Sequence, residues 1–211
     1  MAWFTRFTRF GDIHMVYGQE APNSCGIACV MMAVFKLNKL VPGHSALHTE
    51  KQVYQAYSHV SKTHYDGSGY SNAHMLAATL NRLNVGKWQA RHVGMHNVPK
   101  AITDSVGSEI VGLSPLINGF RRGSPIIILV GWDSNGAHFV LVDVVNHFFG
   151  SLYASVCDPW DGDVHITRFD EGKDFKYLAG KVTGSWDLGG KKHEYTSSSK
   201  GEANGWIIHQ I

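Results

Sequence analysis

Charge of either sign is scarce in this chain: 19 Lys and Arg stand against 17 Asp and Glu in 211 residues, a formal net charge of +2 with histidines neutral. A nucleic-acid partner calls for a basic run or stripe, and the sequence has none. Long apolar runs are missing too. None approaches the roughly 20 residues of a membrane helix, and the run Ile126 to Val130 reads as a buried strand. The opening Met1-Ala2-Trp3-Phe4-Thr5-Arg6-Phe7 is aromatic and basic. It has no secretory apolar core and no small-residue cleavage site, so the expectation is a cytoplasmic protein in the producing cell, with export by a signal-independent machine left open. Cysteine is limited to Cys25, Cys29 and Cys157, an odd number without a CxxC pair, which excludes a disulfide framework. What remains is three buried small hydrophobes or a thiol nucleophile with a distant base. The histidine pairs His44/His48 and His92/His96 have i, i+4 spacing but no third ligand nearby, so neither a metal nor a cofactor is expected.

What is present is a globular composition, 44% hydrophobic, enough to bury a sizeable core in one domain. The first half reads mainly as helices and the second mainly as strands, which predicts an α+β fold. Cys25 to Leu37 is apolar on nearly every face and predicts a helix buried all round, with Asn23 or Ser24 as its cap. Leu47–Val60 is amphipathic. Asn72–Leu83 follows, with Ser71 as cap and Gly86 as its end. Ser114-Pro115 signals a further helix, stopped by Gly123. The period then changes. Strands are expected over Ser124–Trp132, Ala137–Val145, Ser151–Asp158 and Val164–Phe169, with a closing strand over Gly205–Ile211. Gly184–Gly201 reads as loop.

Cys25 is the residue with the most suggestive position. At the amino end of a buried helix, unpaired amides and the helix dipole favour thiolate over thiol. Gly26 leaves room beside it, and the Cys25 amide can face the oxygen of an attacked carbonyl. Gln19, six residues earlier in a loop, carries a neutral amide that could complete an oxyanion hole. A core cysteine beside a capping loop would use the same residues without any chemistry.

A base and its orienting acid come from strand pairing. If Val145 pairs with Ser151 across a hairpin, His138 falls opposite Asp158 on one face of the ladder, with Cβ atoms roughly 4.5–5.5 Å apart. The acid would then fix the imidazole tautomer. A one-residue slip or a bulge would present Cys157 instead. Asp161 and Asp163 lie beyond Pro159 and are expected off the ladder, Asn146 in the turn, and Asp143 on the wrong face. A buried histidine merely satisfied by a carboxylate is the alternative.

Gln19-x5-Cys25-Gly26-x-Ala28-Cys29, then Gly123-x-Pro125-Ile126-Ile127-x-Leu129-x-Gly131-Trp132, His138-Phe139-Val140-x-Val142-Asp143, and Asp158-Pro159-x-x-Gly162 together resemble the papain-like peptidases of the bacteriocin-processing, double-glycine-leader type. The resemblance runs from about Gln19 to Gly180. It implies a single papain-like domain over residues 1–211, with a helical half over 19–122 carrying Gln19 and Cys25 and a β half over 123–211 carrying His138 and Asp158. It implies a cysteine peptidase with Cys25 as nucleophile, His138 as base, Asp158 as orienting acid and Gln19 as oxyanion donor, and Gly26, Trp132 and Ala137 along the substrate path. The substrate would be a polypeptide, and a secretion machine or an immunity or inhibitor protein would be a partner. No transporter span or P-loop accompanies the motifs, so the free-standing form is implied: a leader-processing enzyme, or a bacterial effector or toxin. Acyl transfer, glutamine deamidation and a catalytically inactive peptide-binding module remain alternatives. The exposed-looking Leu188-Gly189-Gly190 is a candidate self-processing site.

Overall fold

The computed structural model describes residues 3–38, 48–110, 123–132, 136–179, 185–187 and 199–211. The expected helix at Ser114-Pro115, the double glycine at 189–190, His44 and Leu47 lie outside them. In chain order the elements are β1 (Trp3–Thr8), β2 (Ile13–Tyr17), α1 (Cys25–Asn38), α2 (Glu50–Ser61), α3 (Ala73–Arg82), β3 (Trp88–His92), a 3-10 turn (Met95–Asn97) and α4 (Val98–Val106). They continue with β4 (Glu109–Ile110), β5 (Ile126–Trp132), β6 (Ala137–Phe148), β7 (Ser151–Asp158), β8 (Asp163–Phe169), β9 (Lys176–Ala179), β10 (Ser185–Asp187) and β11 (Ser199–Gln210). The fold is α+β. A larger sheet runs in the order β3-β11-β5-β6-β7-β8, with β4 added on β6 and β9 on β11, and a smaller one runs β10-β1-β2. All pairings are antiparallel except the short β4–β6 pair.

The larger sheet is covered on both faces, which explains the continuous apolar run of β5. Ile127, Phe139, Leu141, Cys157 and Ile208 join α1, α2 and α3 in one core. Ile126, Ile128, Val130, Val140 and Val142 join α4 in another. The helix α1 is buried as its sequence requires, with Ile27, Ala28, Cys29, Val30, Ala33 and Val34 fully inaccessible. Ser24 stands at its N-cap position, and its hydroxyl turns back to bond the Ala21 carbonyl at 3.0 Å. For α3 the cap is Asn72 rather than Ser71. The Asn72 carboxamide oxygen accepts from the His74 and Met75 amides.

Several expectations change. Residues 3–17 form two strands ahead of the helical half, and β3 and β4 interrupt that half. The helix α4 carries its own signal, Asn97 at the cap and Pro99 in the first turn. Part of the expected 184–201 loop is strand, since β11 begins at Ser199 and runs 12 residues. Asn146 lies within β6 opposite Tyr153 rather than in a turn, and Asp163 is on the β7–β8 ladder opposite Asp158.

The β6–β7 register also differs from expectation. Ser151 faces Phe148, not Val145, because the turn is tighter. A bulge between Val142 and Val144 then takes back one residue, leaving Val142 opposite Val156 and Leu141 opposite Cys157. The expected register would put Val140 opposite Val156, so the net slip is two. An even slip preserves parity. His138 and Asp158 therefore remain on one face, as diagonal rather than direct neighbours.

Candidate active site

Cys25 is the first residue of α1, 9% exposed, at the wall of a cleft of about 280 Å³. No acidic residue sits in the first turn of that helix, so nothing there opposes an anionic sulfur. His138 is the second residue of β6. Its Nε2 donates to Asp158 Oδ1 at 2.7 Å. That leaves Nδ1 as the ring nitrogen for the Cys25 thiol, whose charge interacts with that of His138. Helix tip, strand start and strand end thus bring Cys25 to a histidine and acid more than a hundred positions further along the chain.

The electrostatics favour charge separation. Burial pushes the Cys25 thiol up, but the His138 hydrogen bond and charge, with the Phe139 and Gly26 amides, outweigh it and hold the thiol below its ordinary value. Burial alone would lower His138. The Asp158 charge and hydrogen bond, with the sulfur, raise it instead to about 10. Asp158 is wholly buried, yet His138, His165 and the Tyr177 hydroxyl hold its carboxyl well below the usual range. Both shifts favour the thiolate and imidazolium form of the pair.

The Asp158 turn is clamped by the amino-terminal strands. Arg6 is fully buried, its Nε donating to the Gly162 carbonyl at 2.9 Å and lying 3.4 Å from Asp163 Oδ1. Gly162 has φ +68, and a Cβ there would lie 2.5 Å from the Phe4 ring, so only glycine fits. The Gln19 amide donates to the Pro159 carbonyl at 2.8 Å, tying the nucleophile loop to the acid's turn.

The remaining expected site residues are placed less simply. Gln19 is buried, and its Nε2 donates to the Ala21 and Pro22 carbonyls at 3.0 and 2.9 Å, so its donors brace the loop in this state. Its Oε1 is buried without a hydrogen-bond partner. Gly26 does not open onto the cleft. A Cβ there would lie 2.3 Å from Ser71 Oγ and 2.6 Å from Leu76, so the glycine admits α3 and its cap loop, not a substrate backbone. Ala137 lines the cleft, beside Phe139, Leu129, Tyr70, His74 and Trp206. Trp132 stacks on His138, centroids 5.9 Å apart at 26°. Tyr70, His74 and Trp206 gave no sequence motif, because they arrive from the α2–α3 loop, α3 and β11.

Among the described residues, two groups place three possible metal-ligand atoms within 4.8 Å of one another: His14, Asp143 and Cys157, and Asp158, Asp161 and His165. In the first, His14 Nδ1 lies 2.7 Å from Asp143 Oδ2, and Lys36 Nζ pairs with the same carboxylate. In the second, His165 Nε2 donates to Asp161 Oδ2 at 2.9 Å. Internal pairing thus accounts for the histidine and a carboxylate of each. His92 Nε2 bonds the Asn204 carbonyl, and His96 pairs with Asp174.

The chain matches no protein-family model and no curated protein.

Proposed function

We propose that the protein is a papain-like cysteine peptidase that hydrolyses peptide bonds through Cys25, His138 and Asp158. The observation that carries this reading is the His138 ring held by Asp158 at 2.7 Å through Nε2 and turned toward a Cys25 sulfur at a helix amino terminus beside an open cleft. A cysteine on the first residue of a buried helix, a histidine at the start of an antiparallel strand and an acid at the end of the next are similar to the papain-like arrangement. The cleft walls that include Tyr70, Leu129, Phe139 and Trp206 suit uncharged peptide side chains.

In this mechanism the Cys25 thiolate attacks the scissile carbonyl and forms a C–S bond. The developing oxyanion is met by the Cys25 backbone amide. Gln19 becomes a second donor when its amide turns from the Ala21 and Pro22 carbonyls. The imidazolium of His138 gives its proton to the leaving amine as the C–N bond breaks. Water then attacks the thioester, His138 takes the water's proton, and the acid product leaves with the thiolate restored. Asp158 holds the ring in one tautomer throughout and stabilises its cationic form.

The test is a digest of a peptide library by the wild type and by Cys25→Ala, followed by mass spectrometry. Cleavage by the wild type alone, with new carboxyl termini, supports the reading. New amides in place of free acids would assign the thioester to acyl transfer. Equal cleavage by Cys25→Ala would end the proposal.

A further inference from the structure

The carboxylate of Asp158 has two oxygens, and His138 uses one. The other accepts from the Tyr177 hydroxyl at 2.5 Å. Tyr177 lies on β9, a strand of four residues joined to the larger sheet through β11. It is completely buried. Gly201 of β11 faces Tyr177 on one side and Trp132 on the other. A Cβ at Gly201 would lie 2.8 Å from the Trp132 ring, so the bare glycine lets the tryptophan and tyrosine rings meet across it, centroids 5.8 Å apart. Trp132 in turn stacks on His138. On its other side Tyr177 meets His165 edge-on at 5.7 Å. The ring is thus fixed by its neighbours, and its hydroxyl is fixed on the acid.

We propose that Tyr177 is a positioning residue of this site, its hydroxyl pinning Asp158 Oδ2 so that Oδ1 stays aimed at His138 Nε2. The proposal rests on the peptidase reading above. The physical need is plain. A carboxylate turns easily about χ2, and the Trp160 amide, donating at 2.8 Å, binds the same oxygen that His138 uses. A hydroxyl on the opposite oxygen supplies the second point that fixes the carboxylate plane. A phenol does this without adding charge, so the carboxylate keeps its full effect on the imidazole. The charged and titratable groups facing this acid are His138 on β6, Cys25 and Cys29 on α1, Cys157 on β7, Asp161 in the turn, and Asp163 and His165 on β8.

The experiment is the pH dependence of Cys25 alkylation by iodoacetamide, read by mass spectrometry, in the wild type, Tyr177→Phe, Asp158→Asn and the double variant, with kcat and KM measured on a cleaved peptide. The wild type is expected to alkylate at Cys25 with a midpoint below that of a free thiol. Tyr177→Phe raises that midpoint by about half a pH unit or more and lowers kcat about tenfold with KM unchanged. On the Asp158→Asn background the same change has no further effect, because Tyr177 acts through the acid. Tyr177→4-aminophenylalanine, of the same shape and still a donor, keeps the wild-type midpoint. A midpoint unmoved in Tyr177→Phe, with kcat within twofold of wild type, overturns the proposal, even if the melting temperature falls. So does a midpoint that moves down, which would mean that the hydroxyl only dilutes the carboxylate's charge. Should Tyr177→Phe not fold, 4-aminophenylalanine against 4-methylphenylalanine at this position puts the same question at constant volume. A wild-type Cys25 no more reactive than a free thiol would sink the peptidase reading itself, a result distinct from failure of the tyrosine.

Discussion

Among the described residues two cysteine, histidine and carboxylate groups form, and their geometry differs. Cys25, His138 and Asp158 meet at a helix tip beside a cleft. Cys157, His14 and Asp143 meet inside the protein, with Cys157 Sγ 3.9 Å from His14 Nδ1 and that nitrogen 2.7 Å from Asp143 Oδ2. The residue types are the same. The difference lies in where each carboxylate's influence goes. Asp158 backs an imidazole whose other nitrogen faces sulfur, so the acid's charge is passed on to the thiol. Asp143 shares a single His14 nitrogen with Cys157 and is paired with Lys36 as well. Burial and the Asp143 charge then push the Cys157 thiol well up, while Cys25 is held down. A reactive thiol needs the helix terminus and a relayed imidazole, not merely a nearby histidine and acid.

Removing each sulfur gives the largest contrast. Cys25→Ala is expected to lower turnover by about four orders of magnitude or more, to the level the remaining site sustains. Cys157→Ala should leave kcat within about threefold and lower stability by about 1–2 kcal/mol, the scale of a small buried deletion. Peptide cleavage rates and thermal melts of both variants measure this. Comparable loss of activity in the two would erase the distinction.

The acids come next. Asp158→Asn should cost about 10²–10⁴ in kcat, since the amide no longer fixes the tautomer or the imidazolium. Asp143→Asn leaves Lys36 without its charged partner in a largely buried position, so the expected cost is about 3–5 kcal/mol of stability with kcat nearly unchanged. Urea titrations alongside kinetics separate the two. A stable, inactive Asp143→Asn would show that the inner group has a catalytic part after all.

Gln19→Ala sharpens the comparison at the oxyanion side. If its amide turns to the reacting oxygen, kcat falls about 10²–10³-fold. If it only braces the Ala21 and Pro22 carbonyls, the loss appears in the melting temperature and kcat changes by less than about fivefold. Steady-state kinetics below the melting transition decide.

Much of this site was legible because its signals are local. A cysteine ahead of an all-apolar helix, and two strands bounded by turn residues, need no knowledge of distant packing. The register was not legible: neither the Phe149-Gly150 turn nor the bulge at Asp143 has a sequence mark strong enough to count by. The two shifts left an even slip, and for that reason alone the expected histidine and acid still share a face. The amino-terminal strands were hidden by inverted polarity. In Trp3-Phe4-Thr5-Arg6-Phe7-Thr8 the fully buried residues are Arg6 and Thr8: Arg6 reaches the Gly162 carbonyl and Asp163, and the Thr8 hydroxyl bonds Asp12. Tyr177 had no motif at all. Its strand is placed by β11, and its partner acid lies in a different hairpin.

The smallest expected effect is on the pH profile near neutrality. Cys25 is held below its ordinary 9.0, so the thiolate is present once pH exceeds its folded value and is lost as pH falls through it. His138 is raised from 6.5 to about 10, so the imidazolium is fully present below 6.5 and is lost as pH rises through about 10. Both proton positions required for attack and for leaving-group protonation therefore coexist on a plateau between the two. Above the Cys25 limb, kcat/KM should stay level and then fall roughly tenfold per unit above about 10. A single histidine working as an unpaired base would instead give a limb near 6.5 and a rate that keeps rising through neutrality. A profile of kcat/KM from pH 5 to 11 separates these shapes, and a rate that does not fall above about 10 would mean that His138 does not hold its proton in the resting pair.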